Sequence, residues 1–171
     1  MKHFSWLLVT FVLLGLGSPL LGTFEMQMYV PDVLVLSAVY IAVRGDLLPG
    51  VMTIFVAGLL KDGFVLASPV GLFAEIGVLS LLGARVFLRR VDLRSMVPLM
   101  ATAAAASMVA TGMFWLLATV FDRDFGGSDQ VLSTFLPLAL ATMLAAPVQF
   151  AILDRVSGLF GPRERSGMLL R

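Results

Sequence analysis

Three acidic residues stand out because they lie within the apolar part of the chain. Asp32 is near the start of the second apolar run, Asp62 is near the end of the third, and Glu75 is about one and a half turns into the fourth. If the second and third runs form neighbouring helices, Asp32 and Asp62 come near the same end of both. One hypothesis is that they form a carboxylate pair, as in an intramembrane aspartyl hydrolase or a cation site.

The alternative interpretation of these acids is structural. Asp32 follows Pro31 at a helix start, where a negative charge is favourable and needs no further role. Neither aspartate has a nucleophile, a histidine base or a third ligand beside it in sequence, and the chain has no cysteine and one histidine, His3. Glu75 could face a cavity, pair with Lys61 or bind a partner.

Known catalytic and cofactor motifs are missing from the sequence. It contains no nucleophile elbow, no His-Glu-x-x-His pair and no glycine-rich phosphate loop. We therefore predict a protein that is not an enzyme, with no catalytic residues, no metal site and no cofactor.

Composition indicates that lipid surrounds most of the chain. Of its 171 residues 59% are hydrophobic and only 13% are charged, and the mean hydropathy is +0.98. Soluble domains average about 25% charged residues. Six helices of about 20 residues each leave no room for a soluble catalytic domain. We predict a single integral membrane domain over residues 1–171.

The apolar runs predict an all-α membrane protein, a bundle of about six transmembrane helices. The predicted spans are 4–21, 30–43, 47–60, 69–88, 97–121 and 133–153, followed by a cytoplasmic tail over 154–171. The first run could instead be a cleaved signal peptide. The second and third runs would reach only about 21 Å against a hydrocarbon core of about 30 Å, so they form either two full spans or a partly inserted hairpin.

Small residues predict which helices pack closely. Alanine, serine and glycine are frequent in the fifth run and alanine in the sixth. Small residues permit close helix contact in lipid, where no hydrophobic force drives helices together. We therefore predict that the fifth and sixth helices are neighbours.

Basic residues orient the predicted bundle. With the N-terminus inside and six crossings, ten lysines and arginines fall on the inside and only Lys61 and Arg123 fall outside. This asymmetry predicts that both termini are cytoplasmic. A basic cluster on the inside comprises Arg85, Arg89, Arg90 and Arg94. It serves as an orienting anchor or binds anionic lipid head groups or a cytoplasmic partner.

Between Pro31 and Arg85 the chain resembles the bacterial rod shape-determining protein MreD family. The resemblance rests on Pro31-Asp32, Tyr40, Arg44, Gly50, Phe55, the Gly58-Leu59-Leu60-Lys61-Asp62 segment, Pro69-Val70-Gly71-Leu72 and Ala74. Lys61 departs from the family pattern, in which an apolar residue precedes that aspartate. Outside this third of the chain, the resemblance is one of length and span organisation.

The resemblance implies a non-enzymatic subunit of the cell-elongation machinery in the bacterial cytoplasmic (inner) membrane. Its implied partners are membrane lipids, an MreC-like protein, wall-synthesis enzymes and an assembly containing MreB, with no nucleic acid. The candidate family-motif or interface residues are Pro31, Asp32, Tyr40, Arg44, Gly58, Asp62, Pro69 and Gly71. The turn from Asp62 to Gly71, with the outer ends of the third and fourth helices, is the predicted partner site.

The family is also similar in architecture to the substrate-binding subunits of energy-coupling-factor transporters. An alternative function is therefore small-molecule binding in a transporter of that type. Such a site needs a polar pocket lined by aromatic side chains, and the chain has only two tryptophans and two tyrosines.

Overall fold

The structure is a computed structural model that describes residues 2–22, 30–64, 71–88, 96–121 and 128–160. These segments contain helices and no strand, so the predicted all-α class is confirmed. The helices are α1 (Lys2–Gly22), α2 (Val33–Arg44), α3 (Leu47–Phe64), α4 (Leu72–Leu88), α5 (Met96–Phe121) and α6 (Ser128–Phe160).

Four of the helices differ from the predicted spans by three residues or more at one end or both. Helix α2 begins at Val33 rather than at 30, and α3 ends at Phe64 rather than at 60. Helix α4 begins at Leu72 rather than at 69, because Gly71 has a φ of +103°, outside the helical region. Helix α6 covers 128–160 rather than 133–153, so the first seven residues of the predicted tail continue the helix. Pro137 and Pro147 lie inside α6 without ending it.

Helix α2 occupies the centre of the bundle. It contacts each of the other five helices, which follow one another around it in the order α1, α3, α4, α5, α6 and back to α1. Every residue from Leu34 to Ala42 is buried. A helix that is apolar on all sides fits a site enclosed by other helices.

The central position explains why the second apolar run is short. Twelve helical residues extend only about 18 Å. Because other helices cover α2, its length does not have to match the thickness of a hydrocarbon core. That α2 and α3 form two full spans stays a prediction, as does the partly inserted hairpin.

The outer surface of the ring is apolar. Each ring helix exposes large hydrophobic side chains, among them Phe4, Met52, Val86, Val109 and Leu144. Soluble monomers rarely expose apolar patches of this extent. Among the described residues, two helical segments, Met96–Leu117 and Val131–Gly158, are long and apolar enough to cross a membrane. These observations indicate membrane association, and a six-span bundle stays a prediction.

The predicted contact between the fifth and sixth helices is confirmed. Helices α5 and α6 share one of the two most extensive helix contacts of the bundle, the other being that of α3 with α4. Ala103 and Ala110 of α5 and Ala139 and Ala146 of α6 are buried. Their small side chains allow the backbones to approach closely.

Candidate functional site

Asp32 connects two helices through one carboxylate oxygen. Its Oδ1 accepts backbone N–H groups of Leu34 and Val35 at 3.1 and 3.3 Å, which caps the N-terminus of α2. The same oxygen lies 2.9 Å from Nζ of Lys61, near the end of α3. The side chains are only 18% exposed for Lys61 and 15% for Asp32. This is a largely buried ion pair.

One aromatic ring lies against the ammonium group of Lys61. Its Nζ lies 4.4 Å from the ring centroid of Phe73 in α4, a cation–π distance. Phe73 in turn stacks on Phe114 of α5, with centroids 5.7 Å apart. Lys61 therefore links α3 to the start of α2 and to α4. Its side chain is paired with Asp32 and not with Glu75.

Asp62 caps the N-terminus of α4. It is buried, its Oδ2 accepts the N–H of Gly71 and its Oδ1 accepts the N–H of Phe73, both at 3.0 Å. Two acceptor oxygens thereby satisfy two of the donors that a helix start leaves unpaired. Gly71, whose N–H binds this carboxylate, has a positive φ.

The two aspartates do not form a carboxylate pair. No hydrogen bond joins their carboxyl groups in the described part of the chain, and each binds its own donors. An aspartyl dyad requires two carboxyl groups that share a proton. Within the described segments no cluster of three histidine, cysteine, aspartate or glutamate side chains could hold a metal ion. The arrangement is suited to holding helices together.

Gly58 permits the close contact of α3 with α4. A Cβ at this position would lie 2.3 Å from Cα of Ala74 and 2.6 Å from its backbone nitrogen. Real Cβ atoms do not come that close to a backbone, so any side chain would force the two helices apart. The glycine is needed for the packing of α4 beside the Asp62 cap.

Two further motif residues, Tyr40 and Arg44, lie toward the opposite end of α2. The hydroxyl of Tyr40 donates to Oδ1 of Asp154 at 2.7 Å, and an Arg44 nitrogen lies 3.7 Å from the other oxygen of Asp154. Arg85 donates to the carbonyl of Gly45, the C-cap of α2, at 3.4 Å. A cation beside the last carbonyls of a helix is favourable. Arg89, Arg90 and Arg94 of the predicted basic cluster lie outside the described residues, as does Pro69.

Sequence reasoning missed a buried polar network along α2. Gln149 of α6 donates to the carbonyl of Val33 at 3.0 Å and to the hydroxyl of Ser37 at 2.9 Å. That hydroxyl also bonds to Thr10 of α1 at 2.9 Å. Two turns earlier on α6, the hydroxyl of Thr142 accepts the backbone N–H of Asp32. Thr142 and Gln149 are seven residues apart, a spacing that puts both on one helix face and signals an inward polar stripe.

Glu75 lies apart from these internal contacts. It is exposed on α4, and no hydrogen bond or ion pair joins its carboxylate to another described residue. On the same side of α4, five residues line a shallow apolar groove of about 600 Å³, namely Leu79, Leu82, Gly83, Val86 and Phe87.

Comparison of the chain with protein-family models, curated proteins and solved structures found no match. The resemblance to the MreD family stays an expectation from the sequence. Seven of the eight candidate motif residues lie in described segments, and six of these cap a helix, bind across helices or allow close packing. Pro31, the seventh, directly precedes the Asp32 cap.

Proposed function

We propose that this chain is a non-enzymatic, multi-pass subunit of the bacterial cytoplasmic membrane that binds an MreC-like partner. In this role it helps to organise or regulate peptidoglycan synthesis and cell shape. The observation that carries the proposal is the set of contacts at the motif positions. Residues that carry the resemblance to MreD also hold the central helix and the α3–α4 pair in place.

The apolar ring supports a position within the bilayer. Every helix around α2 presents large apolar side chains outward, and α2 itself meets only protein. In this proposal the ring helices cross the membrane, and the Asp32–Lys61 pair lies toward the outer side. The ten-to-two distribution of basic residues supports both termini in the cytoplasm.

The contacts of the acids support a role that is not catalytic. Asp32 is occupied by the Lys61 ammonium group and two backbone donors, and both oxygens of Asp62 are occupied by the α4 cap. A hydrolase would need at least one of these carboxylates to activate water. In their present contacts both serve as hydrogen-bond acceptors for structural donors.

The transporter-subunit alternative receives less support from the same structure. Side chains of α2 fill the centre of the bundle. Two of the aromatic residues, Trp6 and Tyr40, pack edge to face with centroids 5.5 Å apart and bond to Ser157 and Asp154. They are engaged in packing α1 and α6 onto α2, whereas a small-molecule site needs such groups around a cavity.

Affinity purification of the tagged full chain from native membranes tests the proposed function. An unrelated multi-pass protein with the same tag, at equal abundance, is the matched control. We expect an MreC-like protein to co-purify with this chain and not with the control, and depletion of the chain to make rod-shaped cells round. Recovery of the chain without that partner, or with a stoichiometric small molecule identified by mass spectrometry, would refute the proposal.

A further inference from the structure

We propose that the outward face of α4 binds one transmembrane helix of a partner protein, and that this helix carries a lysine or arginine at the height of Glu75. The inference rests on the proposed function in placing α4 in a membrane and in assuming a membrane-anchored partner. It goes further in naming the surface and the chemistry of the helix that fits it.

The first observation is the alignment of the carboxylate with the groove. Glu75, Leu79, Leu82 and Val86 follow a spacing of four, three and four residues, which places them on one face of α4. All four are exposed. Glu75 therefore stands at one end of a continuous apolar strip that extends over about three helical turns.

Gly83 gives the groove its depth. It is exposed, and a Cβ built there would have no atom within 4 Å. The glycine thus serves no close contact inside the bundle, unlike Gly58, whose Cβ would meet Ala74. An exposed glycine between Leu79, Val86 and Phe87 lets a second helix approach the α4 backbone closely.

The second observation is that α4 does not need Glu75 for its own N-terminus. An acid in the first turn of a helix usually offsets the positive end of its dipole. At α4 the carboxylate of Asp62 already binds the N–H groups of Gly71 and Phe73. Glu75 has no described partner, and Lys61 is taken by Asp32. A carboxylate beside an apolar groove at membrane depth is stabilised by a nearby cation, and in the described part of the chain none is paired with Glu75.

The charge of Glu75 also indicates which kind of protein binds the groove. A second copy of this chain would have the same orientation in the membrane, so a symmetric contact through α4 would bring two Glu75 carboxylates to the same height. That contact is repulsive. A helix with a cation at this height instead gains a charge pair and fills the groove, which favours a different protein as the occupant.

Photo-crosslinking tests the proposal on the full chain in native membranes. A photo-reactive phenylalanine analogue replaces Leu82 in the groove, and in the control it replaces Leu140, which is exposed on α6. We expect the probe at 82 to crosslink to a transmembrane segment that contains lysine or arginine, and the probe at 140 not to do so. Crosslinks at 82 only to lipid, or to a second copy of the chain, would overturn the proposal.

Substitutions then test separately how the groove and the charge of Glu75 contribute to binding. Gly83→Leu should fill the groove and Glu75→Lys should repel the cation, each lowering the crosslinked product about tenfold, the effect of about 1.4 kcal/mol. Gly158→Leu is the matched control, because Gly158 is also exposed on a helix with open space around its Cβ. Changing the basic residue of the partner to glutamate should restore the product with Glu75→Lys. Unchanged crosslinking in both groove variants would overturn the proposal.

The outcomes distinguish this inference from the proposed function. If an MreC-like protein co-purifies equally with the wild type, Gly83→Leu and Glu75→Lys, the groove is not its site while the proposed function stands. If the groove crosslinks to a basic helix of an unrelated membrane protein and no MreC-like protein co-purifies, the groove proposal stands and the proposed function fails.

Discussion

Lys61 and Asp32 are 29 residues apart in sequence, and their charged atoms are 2.9 Å apart in the structure. The carboxylate oxygen that binds the ammonium group also caps α2. Oδ1 of Asp32 therefore binds both the start of the central helix and Lys61 near the end of α3. The ammonium group of Lys61 is accommodated in this largely buried place because the Asp32 carboxylate lies within reach.

Removing the charge of Lys61 should destabilise the bundle. Lys61→Met leaves the Asp32 carboxylate largely buried with only its backbone donors, and an incompletely satisfied buried group costs about 1–3 kcal/mol. The double variant Lys61→Met with Asp32→Asn should regain part of that loss, because no unpaired charge remains. Thermal unfolding in detergent, followed by tryptophan fluorescence, measures both changes. Arg155→Met, at an exposed position of α6, is the control. Equal midpoints for Lys61→Met and wild type would show that the ion pair contributes nothing.

The Asp62 cap should matter for stability and not for catalysis. Asp62→Ala removes the acceptors for Gly71 and Phe73 and should cost about 0.5–2 kcal/mol, as loss of a helix cap does. Asp62→Asn keeps one side-chain oxygen as an acceptor and should cost less. The same unfolding measurement checks this order.

Neither Asp62→Asn nor Asp32→Asn should abolish a hydrolytic reaction of the purified protein. A folded variant that lost a measured hydrolytic activity of the purified protein would contradict the structural role of that aspartate.

Gly58→Ala should separate α3 from α4. Its new Cβ would meet the Ala74 backbone at 2.3 Å, and strain of this kind costs about 1–3 kcal/mol. Gly63→Ala, five residues later on the same helix, has open space around the new Cβ. It should leave the unfolding midpoint unchanged or raise it, because alanine favours a helix more than glycine does. Similar midpoints for the two variants would mean that α3 and α4 lie farther apart than the structure has them.

Membrane topology is predicted from the basic residues. Reporter fusions at Gly126 should be external, and fusions at Asp92 and Arg171 should be cytoplasmic, all three positions lying outside the described residues. Alkaline phosphatase activity marks the external fusion and green fluorescent protein marks the cytoplasmic ones. A cytoplasmic Gly126 would reverse the orientation and place the Asp32–Lys61 pair toward the inner surface.

The sequence by itself determined the helical class and the approximate extent of each helix. Composition and the lengths of the apolar runs are local properties, and breaks such as Arg44-Gly45-Asp46 end a helix wherever it lies in the fold. The close contact of α5 with α6 was also predictable, because small residues in both runs permit it.

Only the tertiary structure decided which helix lies at the centre and which charges pair. Helix α2 and α3 have similar apolar composition, but five neighbours cover α2 while α3 keeps an exposed face. The partners of Asp32, Tyr40 and Asp62 are 29, 114 and up to 11 residues away. Such pairings depend on how whole helices pack, and helix packing depends on many side chains at once. For that reason spacing along the chain indicated two acids near one end of the bundle and could not show that each has a separate structural partner.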